Sequence, residues 1–88
     1  MVDAKHIATA VRLAQQHGVT RLILFGSALN SPESAHDLDL ACDGLTGWDF
    51  FTFSAEIEEA LDIPVDMVPL SPASPFTAKI EREGVVIL

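Results

Sequence analysis

RLILFGSALNSPESAHDLDLAC, residues 21 to 42, places two apolar runs of different character on either side of a polar loop. The first, residues 21 to 25, is short and almost continuously apolar, the pattern of a strand buried on both faces. Gly26 interrupts it. Residues 27 to 36 are small and polar and read as a loop with one helical turn at its start. The second run, residues 37 to 42, sets Asp37 and Asp39 against Leu38 and Leu40 in strict alternation. That is the period of a half-buried strand, with both carboxylates on one face and both leucines on the other. Asp43 and Gly44 close it as a turn.

Outward from this segment, helices and strands alternate. Before it, Ile7, Ala8, Val11 and Leu13 or Ala14 recur at helical spacing; Asp3 is placed to cap that helix and Gly18 to end it after His17. After it, the spacing predicts a helix from about Gly47 to Leu61. Its apolar stripe is Phe50, Phe53, Ile57, Ala60 and Leu61, with Thr46 as N-cap and Asp49 as a short-armed capping-box partner. VDMVPL, residues 65 to 70, reads as a third strand. Ser74 then caps a helix with Pro75 at its first position, Gly84 ends it, and residues 85 to 88 form a last short strand. The order mixes hairpin-like and crossover connections. The expected fold is therefore α/β (α+β), a small mixed sheet of about four strands with helices packed on it.

Bulk properties narrow the class. The chain has 88 residues, enough for one small domain spanning 1–88. It is 49% hydrophobic and 20% charged, which argues for a packed core and against disorder. So apolar a small domain is expected to leave apolar surface for a homo-oligomer or a heterologous partner. The net charge of −8 disfavours direct nucleic-acid binding, which rests on cations neutralising phosphates. One cysteine, Cys42, excludes an internal disulfide and a cysteine zinc cage. The opening MVDAKHIATAVRLAQ reads as neither signal peptide nor membrane span, so the expected location is cytoplasmic, away from the membrane.

Chemistry concentrates on the acidic residues. Two carboxylates sharing a face repel unless a cation lies between them, and hard oxygen donors suit Mg²⁺ or Mn²⁺. An Asp-x-Asp pair alone is equally the solvated face of an amphipathic strand. Asp66 adds weight, because an Asp within Ile63, Val65, Met67 and Val68 is costly to bury unless it is paired or binds metal. It is otherwise an Asp on an exposed strand face or one bonded to a neighbouring amide. With the third strand beside the second, three carboxylates converge, the ligand set for two metal ions in a phosphoryl displacement. Gly26 permits close backbone approach and, with Ser27 and the free amides at a helix start, makes a phosphate cradle. A plain strand-ending turn is the more common meaning of Gly-Ser, and no Gly-Lys-Ser/Thr follows to make a Walker loop.

Gly26-Ser27, a spacer of about ten residues and then Asp37-Leu38-Asp39-Leu40, followed by an Asp in an apolar strand, resembles the minimal nucleotidyltransferases of the DNA polymerase beta-like superfamily. The likeness extends over almost the whole chain, including the leading helix, VDMV at 65 to 68 and the closing EREGVVIL. It implies that Asp37, Asp39 and Asp66 are catalytic and hold Mg²⁺ or Mn²⁺, and that Gly26 and Ser27 hold the triphosphate. It further implies ATP as donor of AMP, a hydroxyl as acceptor, and a role as antitoxin to a helical HEPN toxin that is modified on tyrosine. The chain has no Tyr, so tyrosine self-modification is excluded. Two departures stand out. Family members often carry arginine soon after Gly-Ser, where this chain has Ala28, Leu29 and Asn30, and often serine before the Asp pair, where it has His36. They leave open a second reading, a weak or inactive module that neutralises its partner by binding alone. Lys79 and Arg82 are the cations that stand to compensate.

The remaining chemically tempting residues read as structural. His6 and His17 belong on the surface of the first helix, His17 near the end where its charge suits the dipole. Cys42 packs as a small buried side chain. Phe51 falls off the main stripe and is the candidate for a partner surface, while Glu56, Glu58 and Glu59 form a solvated helix face.

Overall fold

A computed structural model describes residues 1–88. The elements, in chain order, are α1 (Ala4–His17), β1 (Arg21–Phe25), α2 (Ser27–Asn30), β2 (Leu38–Asp43), α3 (Trp48–Leu61), β3 (Val65–Pro69), α4 (Pro75–Glu83) and β4 (Val85–Val86). The strands form one mixed sheet in the order β3-β2-β1-β4, with β1 antiparallel to both β2 and β4, and β2 parallel to β3. The loop carrying α2 turns the chain back for the antiparallel pair. The parallel pair requires a crossover, which α3 supplies.

The alternation of side chains sorts the two faces. Leu22, Leu24, Leu38, Leu40 and Cys42 enter the larger core, where α1 adds Leu13 and Ala14 and α3 adds Phe53, Ile57 and Leu61. Ile23 and Ala41 point the other way, into a smaller core closed by Leu70 and by Ile80 of α4. Only part of this second face is covered, and its open part carries the acidic residues. An Arg21–Glu81 ion pair helps hold α4 in place, and Gly84 lets the chain leave α4 against β1: a Cβ there would sit 2.5 Å from Ile23 Cγ2.

Local signals act largely as the sequence implies. Asp3 caps α1 by accepting from the Lys5 and His6 amides, and Gly18 ends it in the left-handed conformation at φ 82°. His6 is half-buried and completes that capping box, its Nδ1 accepting from the Asp3 amide at 3.1 Å. His17 hydrogen-bonds Glu56 at 2.7 Å and packs on Phe53, so it pins α1 to α3. Ser74 caps α4, with Pro75 at its first position. Cys42 is buried, and burial, aided by the charge of Asp43, pushes its thiol up to about 11.

Several expectations are corrected. The N-cap of α3 is Gly47, at φ 56° and without a side-chain cap; Thr46 contributes only its carbonyl, to the Asp49 amide. Ala8 and Ala60 are exposed, because Ala10 and Leu13 are the residues of α1 that face the sheet and the α3 stripe narrows to Phe53, Ile57 and Leu61. The second strand begins at Leu38, leaving Asp37 just before it. The third ends at Pro69, and the last is confined to Val85–Val86. Pro69 is tolerated because β3 is an edge strand, where a missing N–H leaves no ladder partner unpaired. No helix is long and apolar enough to cross a membrane.

Candidate functional site

Strand register builds the site. The Leu38 amide donates to the Pro64 carbonyl at 3.0 Å, and from there the parallel ladder pairs Asp39 with Asp66. On its other side Asp39 is paired with Phe25. Residues paired across a ladder project to the same face, so Phe25, Asp39 and Asp66 form one row across β1, β2 and β3. The row below it, Ile23, Ala41 and Val68, is apolar and packs under α4. The open face of the sheet thus passes from an apolar floor to an acidic rim within one row.

Asp39 is half-buried, while Asp37 and Asp66 are exposed. Of the readings open for Asp66, the exposed strand face is the one found: β3 lies at the sheet edge, and its carboxylate reaches water. Asp66 nevertheless stands opposite Asp39 in the ladder. The Asp39 carboxyl titrates above the usual carboxylate range, first because burial disfavours its charge, then because of the charge of Asp66, a hydrogen bond with Asp66 and the charge of Asp37. The Ser27 backbone amide pulls in the opposite direction.

Gly26 abuts the central carboxylate. It has φ 74° and ψ −151°, a conformation essentially restricted to glycine. A Cβ there would lie 2.2 Å from Asp39 Oδ2. The chain therefore leaves β1 directly over Asp39 and turns at once into α2. That helix is a single turn of four residues, too short for a sizeable macrodipole; its Leu29 and Asn30 amides donate to the Gly26 carbonyl and its Ser27 amide to Asp39. Asn30 Nδ2 donates to the Gly26 carbonyl at 3.1 Å and braces the turn. The loop onward to Asp37 is tied down as well. The Val2 amide donates to the Pro32 carbonyl at 3.1 Å, and Val2 and Ala35 are both buried in the larger core.

The donor set suits a hard divalent cation, since every candidate ligand is a carboxylate oxygen. The mutual repulsion that lifts Asp39 is what such a cation relieves. Asp37, Asp39 and Asp66 do not by themselves close into a cage: no three acidic, histidine or cysteine side chains surround one common point. Mg²⁺ does not require that, because it typically takes one or two carboxylates together with substrate phosphates and retained waters. The residues fit a cation that arrives with a polyphosphate better than a resident structural ion.

Beside Gly26 lies a groove of about 490 Å³, bordered by Phe25, Leu29 and Asn30 on one side and by Phe76, Lys79 and Glu83 of α4 on the other. A larger depression of about 660 Å³ on the outer side of α3, lined by Phe51, Glu58, Glu59 and Asp62 among others, contains none of the five candidate residues. The smaller groove meets the candidate set at Gly26 alone; Ser27 and the three carboxylates lie outside its lining. The sequence left Lys79 unplaced and did not single out Phe25 or Phe76 for the site. Phe25 was legible in principle, being the last residue before Gly26 and of the same strand parity as Arg21 and Ile23. The docking of α4 that brings Phe76 to it, ring centroids 6.4 Å apart, is tertiary and leaves no local signature.

No family model matches the sequence, and no curated protein matches it closely. Solved structures do match in fold. A chain from the crystal structure of a toxin–antitoxin pair with AMP-PNP superposes with a TM-score of 0.78 at 21% identity, covering 93% of this chain and 72% of that one. A chain from the complex of a tri-AMPylated Shewanella oneidensis HEPN toxin with its MNT antitoxin gives 0.74 at 21% identity, covering 96% and 70%. A candidate minimal nucleotidyltransferase gives 0.74 at 25% identity, covering 92% and 88%. The architecture is that of the nucleotidyltransferase fold.

Proposed function

We propose that this chain, built on the minimal-nucleotidyltransferase fold, is a metal-dependent nucleotidyltransferase that moves AMP from ATP to a hydroxyl of a helical HEPN toxin and acts as its antitoxin. The observation that carries the reading is the row of Asp39 and Asp66 beneath Gly26, with Asp39 held above its ordinary range by burial and by the charges of Asp66 and Asp37. The solved structures of similar fold support it, since they include a toxin–antitoxin pair with AMP-PNP and a complex whose toxin is AMPylated.

In this reading Asp37, Asp39 and Asp66 hold Mg²⁺ or Mn²⁺, and Gly26 and Ser27 hold the triphosphate. When bound, the cation neutralises phosphate charge and polarises the reacting phosphoryl group. The protein's own part is placement. Gly26 lets the chain pass directly against Asp39, and the Ser27 amide, which bonds the Asp39 carboxylate, turns to a phosphate oxygen when the nucleotide arrives. Asp66, exposed at the sheet edge, takes the proton of an acceptor hydroxyl arriving from solvent. The hydroxyl oxygen bonds to the α-phosphorus, the bond to the bridging oxygen breaks, and pyrophosphate departs. Trp48 and Phe51, 83% and 63% exposed with ring centroids 6.2 Å apart, give the start of α3 an apolar surface of the kind a protein partner covers.

The test combines the chain with ATP labelled in its α-phosphate, Mg²⁺ and its cognate toxin. Label is expected on the toxin, reduced by at least about 10³-fold in Asp39→Ala. The absence of arginine at Ala28, Leu29 and Asn30 favours the second reading, a module that neutralises by binding alone. That reading predicts tight complex formation with no label and no change in Asp39→Ala.

A further inference from the structure

The segment after Ser27 offers a polyphosphate no cation, and the chain as a whole carries a net charge of −8. A nucleoside triphosphate approaching Gly26 therefore meets three carboxylates, and unless another element supplies positive charge, only metal offsets the repulsion. The groove beside Gly26 contains one cationic side chain, Lys79, in the middle of α4. Of the ion pairs in the molecule, joining Asp3 to His6, His17 to Glu56 and Arg21 to Glu81, none involves Lys79. Glu83 borders the same groove one turn further along but does not pair with it. Lys5, Arg12 and Arg82, the other cations outside these pairs, do not border the groove.

We infer that Lys79 is a phosphate-positioning residue, supplying from α4 the positive charge that residues 28 to 30 lack. The inference rests on the nucleotidyl-transfer reading above and adds to it which residue grips the polyphosphate. The position is held without help from a ligand. Ile80, next in sequence, is buried in the smaller core, and the Glu81–Arg21 pair ties the same turn to β1. Lys79 is thus fixed at its base and free at its ammonium, a point charge on a flexible stem suited to phosphate oxygens. Asn30, braced on the Gly26 carbonyl, faces it across the groove.

Calorimetric titration with AMP-PNP in Mg²⁺ tests this, with inorganic tripolyphosphate as competitor and melting temperature as the control for folding. Lys79→Ala is expected to weaken AMP-PNP binding by about 10-fold or more, the scale of one charge-assisted hydrogen bond. Tripolyphosphate should lose potency by a similar factor, Lys79→Arg should recover binding to within about 3-fold, and neither variant should melt differently from wild type. Wild-type affinity in Lys79→Ala overturns the inference and leaves the nucleotide site intact. Weaker AMP-PNP binding with unchanged tripolyphosphate competition places Lys79 on the nucleoside and likewise overturns it. No AMP-PNP binding by wild type overturns this inference and the nucleotidyl-transfer reading together.

Discussion

Gly26→Ala is expected to lower the melting temperature by about 10 °C or more and to abolish the proposed nucleotidyl transfer. Two effects add. The backbone at φ 74° and ψ −151° lies where a side chain costs about 1–3 kcal/mol. The new methyl would also meet Asp39, with Oδ2 at 2.2 Å, Cγ at 3.0 Å and Cβ at 3.2 Å, so the whole short side chain must give way. A loss of 1 kcal/mol is worth about 4–8 °C in a domain of this size. Gly18→Ala separates the two terms. Gly18 has φ 82° but nothing within 4 Å of its would-be Cβ, so it should show the backbone cost alone and keep its activity. Equal losses in the two variants, with transfer preserved in both, would mean that the contact between Gly26 and Asp39 has no functional consequence.

Asp39→Asn is expected to do the opposite to stability while also removing activity. The Asp39 carboxyl titrates above its ordinary value in the folded chain, so folding opposes its ionised form. That penalty is fully present above the raised value and disappears as pH falls below the ordinary one. At neutral pH, in chelator, the variant should therefore melt above wild type. The gap should close through the acid range, as protonation removes the wild-type charge. Saturating Mg²⁺ or Mn²⁺ should reverse the order, because an ion that binds only the folded state stabilises it by about 2.7 kcal/mol at one hundred times its dissociation constant, and the variant has lost a ligand. Thermal melts across pH, with and without the ion, read this directly. A variant less stable than wild type in chelator at neutral pH contradicts the electrostatic account.

The two effects describe a site in which stability is given up for charge density. Leu38 and Leu40 bury fully on the reverse face of the strand that carries Asp39, so the fold anchors its acidic row from behind. The smaller core of Ile23, Ala41, Leu70 and Ile80 then positions α4 beside Gly26. Apolar packing holds together groups that repel one another, as the proposed binding of a cation with its polyphosphate requires.

How much of this was legible follows from the range of each interaction. The buried strand at 21 to 25, the break at Gly26 and the alternation at 37 to 42 are local patterns, and the structure reproduces them within a residue. The parity of Asp37 and Asp39 fixes a shared face but not a neighbour. Only the crossover through α3 and the Leu38–Pro64 hydrogen bond set Asp66 opposite Asp39. The exposure of Asp66 was hidden for the same reason, since VDMV reads as buried until β3 is known to be an edge strand. A hydroxyl makes Thr46 the expected cap, since such side chains cap helices well; the chain instead enters α3 through a positive φ at Gly47, which glycine accepts easily. The place of Lys79 depended on how α4 docks, which Ile80 and Glu81 decide through contacts distant in sequence.

The decisive measurement is Mn²⁺ binding followed by electron paramagnetic resonance, with AMP-PNP present, on the wild-type chain and on Asp66→Asn. The wild type is expected to take up Mn²⁺, and the variant, whose change lies on an exposed edge-strand side chain that leaves the core untouched, is expected to lose at least about 10-fold in affinity. Identical uptake by the two proteins would mean that residue 66 does not act with Asp39 on a common ion, and the nucleotidyl-transfer account would fall with it.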